Sequence, residues 1–244
     1  FAHPYEGRGS ARGDNQHPDA SLAEEMKALY AGEIAHMDES FGALVETLKR
    51  NGIYDDTLIV FTADHGEEFQ EHGGWWHGTT LYDEQVGVPL IAKFPAGVMV
   101  PAQPRGIGRL LDVAPTILAT AGVAIPAEWQ GADLAEPIPA SRIAFAEEDH
   151  EGNILTAARK GKLKLIRAQA GNPRGLPEIE LFDVQRDPGE EQNLAAGRGH
   201  AVEELDGAII AITTGAADSA VVSAGEVQMD DATRDRLRAL GYIE

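Results

Sequence analysis

The sequence predicts an α/β sandwich followed by a small antiparallel sheet, and three observations carry that prediction. A long amphipathic helical pattern feeds directly into Thr57-Leu58-Ile59-Val60-Phe61-Thr62, which is β-branched and apolar on both faces, as in a central strand covered by helices on each side. A second buried run, Val88-Pro89-Leu90-Ile91-Ala92-Lys93-Phe94, follows and has a helical pattern behind it. From about Ile143 onward the pattern changes to short runs joined by tight turns. The expected organisation is therefore residues 1–140 as the later part of an α/β core and residues 141–244 as an antiparallel sheet with a terminal helix.

Taken in order, residues 6–20 are rich in Gly, Asp, Asn and Pro without apolar periodicity, and predict a loop. Ser21 and Glu24 have the spacing of a capping box. Behind them Leu22, Met26, Leu29, Met37, Phe41, Leu44 and Leu48 recur at three- and four-residue intervals, a helix ending in a left-handed cap at Asn51-Gly52. After the two apolar strands, Asp112 is expected to N-cap a helix running through Pro115, Ile117 and Leu118 to Gly122. Residues 154–159, a Lys160-Gly161 turn and residues 163–167 predict a hairpin, with Glu180-Leu181-Phe182-Asp183 as a third strand. Residues 195–230 are Ala- and Gly-rich with weak periodicity, and 231–240, with Gly241 behind, predict a short closing helix. There is no internal repeat.

Composition narrows the function. The 244 residues are 43% hydrophobic and 25% charged, enough apolar surface for a folded core. Forty acidic against 20 basic residues leave a net charge of −20, which argues against nucleic acid or an acidic membrane surface as partner. A small anionic substrate then requires a metal or local cations to reverse the field. The absence of cysteine excludes a disulfide framework, a zinc ribbon and a thiol nucleophile. No run of 18 apolar residues predicts a membrane span. The opening Phe1-Ala2-His3-Pro4-Tyr5 reads as the end of a buried strand, so the chain is expected to be a piece of something longer or a processed product.

The densest group of metal-capable side chains is Asp64-His65-Gly66-Glu67-Glu68, then Glu71-His72, then His77. It follows the first buried strand directly, and ligands of open α/β sheets bind at the carboxyl ends of strands. Gly66 lets the chain turn there, so Asp64 and His65 can converge on one divalent ion. The alternative is a strand-end cap beside a solvated histidine. His72 lies in a Gly-rich loop beside Trp75 and Trp76, where a histidine is commonly exposed. His77, as imidazolium, has the chemistry to donate to an anionic oxygen, or else bonds a nearby carbonyl. A local zinc site made of Asp64, His65, His72 and His77 is a further reading, against which the strand geometry speaks.

These segments also carry a resemblance. Ile59-Val60-Phe61-Thr62-Ala63-Asp64-His65-Gly66-Glu67, His77-Gly78-Thr79-Thr80-Leu81-Tyr82-Asp83-Glu84 and Val88-Pro89-Leu90-Ile91 resemble the C-terminal half of a sulfatase of the alkaline phosphatase-like superfamily. Asp112-Val113-Ala114-Pro115-Thr116-Ile117-Leu118, Glu180-Leu181-Phe182-Asp183, Asp187-Pro188-Gly189-Glu190-Glu191-Gln192-Asn193-Leu194 and Leu237-Arg238-Ala239-Leu240-Gly241-Tyr242 resemble later family segments in the same order. The implied fold is the C-terminal part of an alkaline phosphatase-like sandwich with a small C-terminal antiparallel sheet.

The resemblance implies that Asp64 and His65 bind a catalytic divalent metal, Ca²⁺ first, with Mn²⁺, Mg²⁺ or Zn²⁺ as alternatives. It implies that His77 holds the sulfate or phosphate and takes part in catalysis, and that His3 is a second anion-binding residue, although His3 abuts Pro4 where the family has an intervening residue. Gly87 stands where many relatives have Arg. The family's nucleophile, in a Cys-x-Pro-x-Arg or Ser-x-Ala-x-Arg segment whose Cys or Ser becomes formylglycine, has no counterpart here and is expected outside this chain. The implied activity is sulfuric ester hydrolysis on a small anionic ester. Phosphodiester or phosphonate hydrolysis, phosphoethanolamine transfer and a non-catalytic cation-binding fragment are the alternatives. Relatives are often exported, which implies a periplasmic or extracellular location.

Overall fold

The computed structural model describes residues 18–100, 106–150 and 152–218, with Thr233 and Arg236 in helical conformation. The expected strand end at residues 1–5 with His3, the expected loop as far as residue 17, and all of the closing helix but those two residues lie outside the described residues. Described residues up to Ile209 form one compact unit, and those from Ile210 onward belong to a second.

Helix α1 spans Ala23–Arg50. The Ser21–Glu24 capping box does not form. A 3₁₀ turn, Ala20–Leu22, leads in instead, and Asp19 supplies the side-chain cap by accepting the Ser21 N–H at 2.9 Å. At the far end Gly52 adopts φ 69°, with Gly52 N–H bonded to Lys49 O and Ile53 N–H to Leu48 O at 3.0 and 3.1 Å, which is a Schellman closure.

Strands β1 (Ile59–Thr62) and β4 (Leu90–Lys93) pair antiparallel, Thr62 opposite Leu90 and Ile59 opposite Lys93. Their burial corrects the sequence reading. Every residue of β1 is half-buried, and Ile91 of β4 is 62% exposed. The reason is coverage: among the described residues this sheet has two strands. Phe61 meets Phe41 of α1 at 5.3 Å between ring centroids, but the described residues leave a groove of about 530 Å³ between α1 and β1, lined by Phe41, Leu44, Leu48 and residues 57–62.

The second sheet is covered on both faces. Strands β5 (Ile143–His150), β6 (Asn153–Lys160), β7 (Leu163–Ala168) and β8 (Ile179–Asp183) run antiparallel in that order, so the expected three strands gain β5 as a fourth. One face packs Leu155, Ala157, Ile166 and Phe182 against Leu81 and Tyr82. The other packs Ala158, Leu165 and Leu181 against Leu205 and Ile209 of helix α4 (Gly199–Asp218). Burying each large aliphatic or aromatic side chain here stabilises the fold by about 1.5–3 kcal/mol.

Helix α3 (Val113–Thr120) follows a 3₁₀ turn, Leu110–Asp112. Asp112 stands at its N-cap position, yet its carboxylate does not cap the helix. It is fully buried and accepts from Arg109 N and Ala132 N at 2.9 Å and from Arg142 Nη1 at 2.8 Å, tying three chain segments together. Among the described residues no helix is long and apolar enough to cross a membrane.

Candidate metal and anion site

Just beyond β1 the chain turns at Asp64-His65-Gly66. Glycine is needed at position 66 for space and not for a left-handed φ. Gly66 N–H bonds Gln85 O at 2.8 Å, and a Cβ there would collide with the Glu84 carbonyl of α2, a single turn at Asp83–Val86. Asp64 is 89% exposed, and its Oδ1 accepts the His65 N–H at 3.0 Å. His65 Nδ1 lies 2.9 Å from Gly66 O, and because a carbonyl only accepts, Nδ1 carries the hydrogen. In the neutral ring Nε2 is then an unprotonated ligand atom, 3.8 Å from Asp64 Oδ1. Ligand atoms about 2.0–2.4 Å from one divalent ion stand about that far apart.

The next residues form a very short ribbon in which β2 (Glu68–Phe69) pairs antiparallel with β3 (Trp75–Trp76), Glu68 opposite Trp76. Phe69 and Trp75 anchor it by packing on Met26 of α1. Extending that register by one residue sets Glu67 opposite His77, and there His77 Nδ1 bonds Glu67 Oε1. The His77 ring stacks on His65 at 3.8 Å with 28° between planes. One ligand atom each from His65, Glu67 and His77 lies within 4.8 Å of the others.

A buried polar network underlies these exposed groups. Glu68, fully buried, accepts from Gly74 N at 2.7 Å, from Gln85 Nε2 at 2.9 Å and from the Arg174 guanidinium at 3.1 Å. Arg174 Nη1 also donates to Thr79 Oγ1 at 2.6 Å, while Gln85 Oε1 accepts from Thr79 N and Thr80 N at 3.2 and 3.3 Å. Beside it lies a second cluster. Lys164, buried in the sheet, bridges Asp83 Oδ1 at 2.7 Å and Glu190 Oε1 at 2.9 Å, and Tyr82 donates its hydroxyl to Glu180 at 2.8 Å. Burial pushes the Tyr82 hydroxyl far above its ordinary range, and it raises the Glu180 and Glu190 carboxyls as well, Lys164 only partly offsetting the effect at Glu190.

Of the residues singled out from sequence, Asp64, His65 and His77 stand together at this ribbon end. His72 does not join them, and it is not an exposed loop histidine. Its Nδ1 lies 2.5 Å from Glu84 Oε1, its Nε2 lies 3.4 Å from Glu190 O, and its ring stacks on Tyr82 at 3.6 Å. Both ring nitrogens face acceptors, so neither is left for a metal, and the four-residue zinc reading loses its third ligand. Burial opposes the charge on His72, but Glu84 and the Glu190 carbonyl outweigh it and raise the imidazole above its ordinary value. Sequence reasoning placed Glu67 in the metal-capable group but gave it no role, and it passed over Arg174. The ribbon register would have pointed to Glu67, but strands of two residues leave no periodicity to read, and nothing local marks Arg174.

The profile of the family described as Sulfatase matches residues 2–123, and that described as N-sulphoglucosamine sulphohydrolase, C-terminal, matches residues 70–206. The chain is 30% identical over 179 residues to N-acetylglucosamine-6-O-sulfatase of Bacteroides thetaiotaomicron, covering 68% of this chain and 31% of that protein. It is 31% identical over 181 residues to choline-sulfatase of Rhizobium meliloti, covering 69% of this chain and 33% of that protein. A protein solved in complex with its substrate D-glucosamine-2-N,6-O-disulfate superposes with a TM-score of 0.62 at 26% identity, over 76% of this chain and 40% of that one. The chain thus spans about a third of the length of the curated relatives it matches.

Proposed function

The chain belongs to the sulfatase family, and we propose from that membership and from the site geometry that it carries part of the active centre of a metal-dependent sulfuric ester hydrolase. The observation that carries the reading is the pairing of two different devices at one ribbon end. Asp64 Oδ1 and the unprotonated His65 Nε2 stand 3.8 Å apart as ligands for a divalent cation. Beside them Glu67 holds His77 Nδ1, leaving His77 Nε2 as the ring nitrogen available to a substrate.

A divalent cation, when bound, supplies positive charge against the oxygens of the ester. With oxygen and nitrogen ligands side by side and many carboxylates nearby, calcium or manganese suits the donor set. His77, when protonated, donates Nε2–H to a sulfate oxygen. Glu67 fixes the ring by accepting at Nδ1. In a chain of net charge −20, these local positive groups are what admit an anionic substrate. The nucleophile and remaining ligands belong to polypeptide outside this sequence. That reading is supported by the lack of any Cys-x-Pro-x-Arg or Ser-x-Ala-x-Arg segment and by the third of the relatives' length that the chain spans. A sulfated sugar is the substrate class, as in the D-glucosamine-2-N,6-O-disulfate complex of the related protein.

A second reading is favoured by the 4.8 Å grouping of His65, Glu67 and His77, which would place all three on one ion. The activity test is hydrolysis of 4-nitrophenyl sulfate and bis(4-nitrophenyl) phosphate by the native gene product and its Asp64→Ala variant. The expected result is cation-dependent release from the sulfate, lowered on the order of a hundredfold or more by the substitution. Preference for the phosphodiester would move the reading to phosphoryl chemistry, and no turnover of either ester by a native product of 26.1 kDa would leave a cation-binding module.

A further inference from the structure

Arg174 lies far from the site in sequence, in the segment between β7 and β8, yet its guanidinium ends directly beneath the ribbon. Nη1 and Nη2 reach both Glu68 oxygens at 3.1–3.2 Å, Nη1 reaches Thr79 Oγ1 at 2.6 Å, and Nη2 reaches His72 O at 3.3 Å. Glu68 is the residue after Glu67, and Thr79 is two residues after His77. One planar group therefore fastens the chain on both sides of the Glu67–His77 pair. The guanidinium has room because position 74 is glycine: a Cβ there would collide with Cζ, Nη1 and Nη2 of Arg174. Gly74 does not have a positive φ, so alanine is compatible with its backbone, and the requirement is for space alone.

The support for Arg174 is itself built. Asn172 Oδ1 accepts the Arg174 N–H at 2.8 Å, Asn172 Nδ2 donates to Asn153 Oδ1 at 2.5 Å, and Asn153 Nδ2 donates to Thr79 O at 2.8 Å. Asn153 opens β6, so the antiparallel sheet reaches Thr79 directly through Asn153 as well as through Arg174, with Asn172 joining the two. Breaking a buried charge pair on one side leaves the other charge uncompensated, and a lysine lacks the planar fork that serves Glu68, Thr79 and the His72 carbonyl together.

We propose that Arg174, seated over Gly74, is a positioning residue that sets the separation and ring orientation of Glu67 and His77. The link from Arg174 to cation binding rests on the proposed function above, but the link to His77 does not. The test uses the 244-residue chain and its Arg174→Ala, Arg174→Lys and Gly74→Ala variants, with Leu205→Ala as a control that loses packing on the opposite face of the sheet. Two quantities are read: the ring ¹⁵N shifts of His77 by NMR without metal, assigned with His77→Gln, and Mn²⁺ affinity by electron paramagnetic resonance.

In the wild type His77 is expected to carry its hydrogen on Nδ1. All three site variants are expected to shift it toward the Nε2–H tautomer that a free histidine side chain favours, and to weaken Mn²⁺ binding at least fivefold. Arg174→Lys is expected to fall short of rescue, and Leu205→Ala to lower the melting temperature while leaving the His77 shifts unchanged. Unchanged His77 shifts in a folded Gly74→Ala or Arg174→Lys protein would overturn the proposal, as would equal shifts in Leu205→Ala. A wild type that binds no Mn²⁺ would remove the cation reading while the ring shifts still judge Arg174.

Discussion

The β5–β8 sheet and the β1–β4 pair are made from strands of similar apolar character, and they end in opposite states. Phe182, Leu165 and Leu181 are buried against neighbours on both faces of the larger sheet, whereas β1 is half-buried throughout and Leu44 of the covering helix is 52% exposed. The pair with the poorer cover is the one that delivers Asp64 and His65. The site is consequently braced from outside its own sheet, through Arg174 and Asn153, which both come from the better-packed region. The best-packed sheet and the candidate site thus lie in different stretches of the chain.

The sharpest way to break this contrast is to delete equivalent apolar bulk on each side. Phe182→Ala in the buried sheet is expected to cost about 3–5 kcal/mol of unfolding free energy. Leu44→Ala in the open groove of the isolated chain is expected to cost less than about 1 kcal/mol. Urea denaturation of both variants reads the difference, and equal losses would mean that the groove is covered in solution.

Asp112→Ala is expected to follow closely, at about 3–5 kcal/mol, because it strands the guanidinium groups of Arg109 and Arg142 against a buried site. Thermal melting checks this, and a loss of under a third of that size would show that water replaces the carboxylate. Gly66→Ala is expected to cost about 1–3 kcal/mol by pushing α2 away from the turn, with a clear loss of Mn²⁺ affinity. Wild-type affinity in that variant would show that the turn tolerates displacement.

The smallest effect is on pH dependence. His72 has a raised pKa in the folded protein, so the stability it contributes is fully present below its unfolded value near 6.5 and is lost as pH rises through the higher folded value. The urea midpoint difference between wild type and His72→Gln should therefore be larger at pH 6 than at pH 9. A difference that grows with pH would reverse the sign and remove Glu84 as its partner.

Much of this fold can be read from residue pattern alone. The long helix, both apolar strands, the hairpin and β8 follow from periodicity, because each depends on burial of side chains close in sequence. Helix α4 escapes for the same reason. Val202, Leu205 and Ile209 carry its buried stripe amid alanine and glycine, and their partners are strands elsewhere. Strand β5 opens on the short apolar run Ile143-Ala144-Phe145-Ala146 and continues into Glu147-Glu148-Asp149, which reads as a polar loop without its neighbour β6. At the site, Asp64, His65 and His77 are legible as metal- and anion-capable types behind a strand. Glu67 becomes distinct only through the ribbon register, and Arg174 only through contacts made 106 residues away from Glu68.

The central claim is that Asp64 and His65 bind a divalent cation beside an anion-holding Glu67–His77 pair. Calorimetric titration of Ca²⁺ and Mn²⁺ into the 244-residue chain and its Asp64→Ala, His65→Ala and His77→Gln variants tests it most directly. The account predicts one weak site per chain, lost in Asp64→Ala and His65→Ala and retained in His77→Gln. A wild type that binds neither ion would contradict it, as would an Asp64→Ala variant that binds as the wild type does while His77→Gln does not bind.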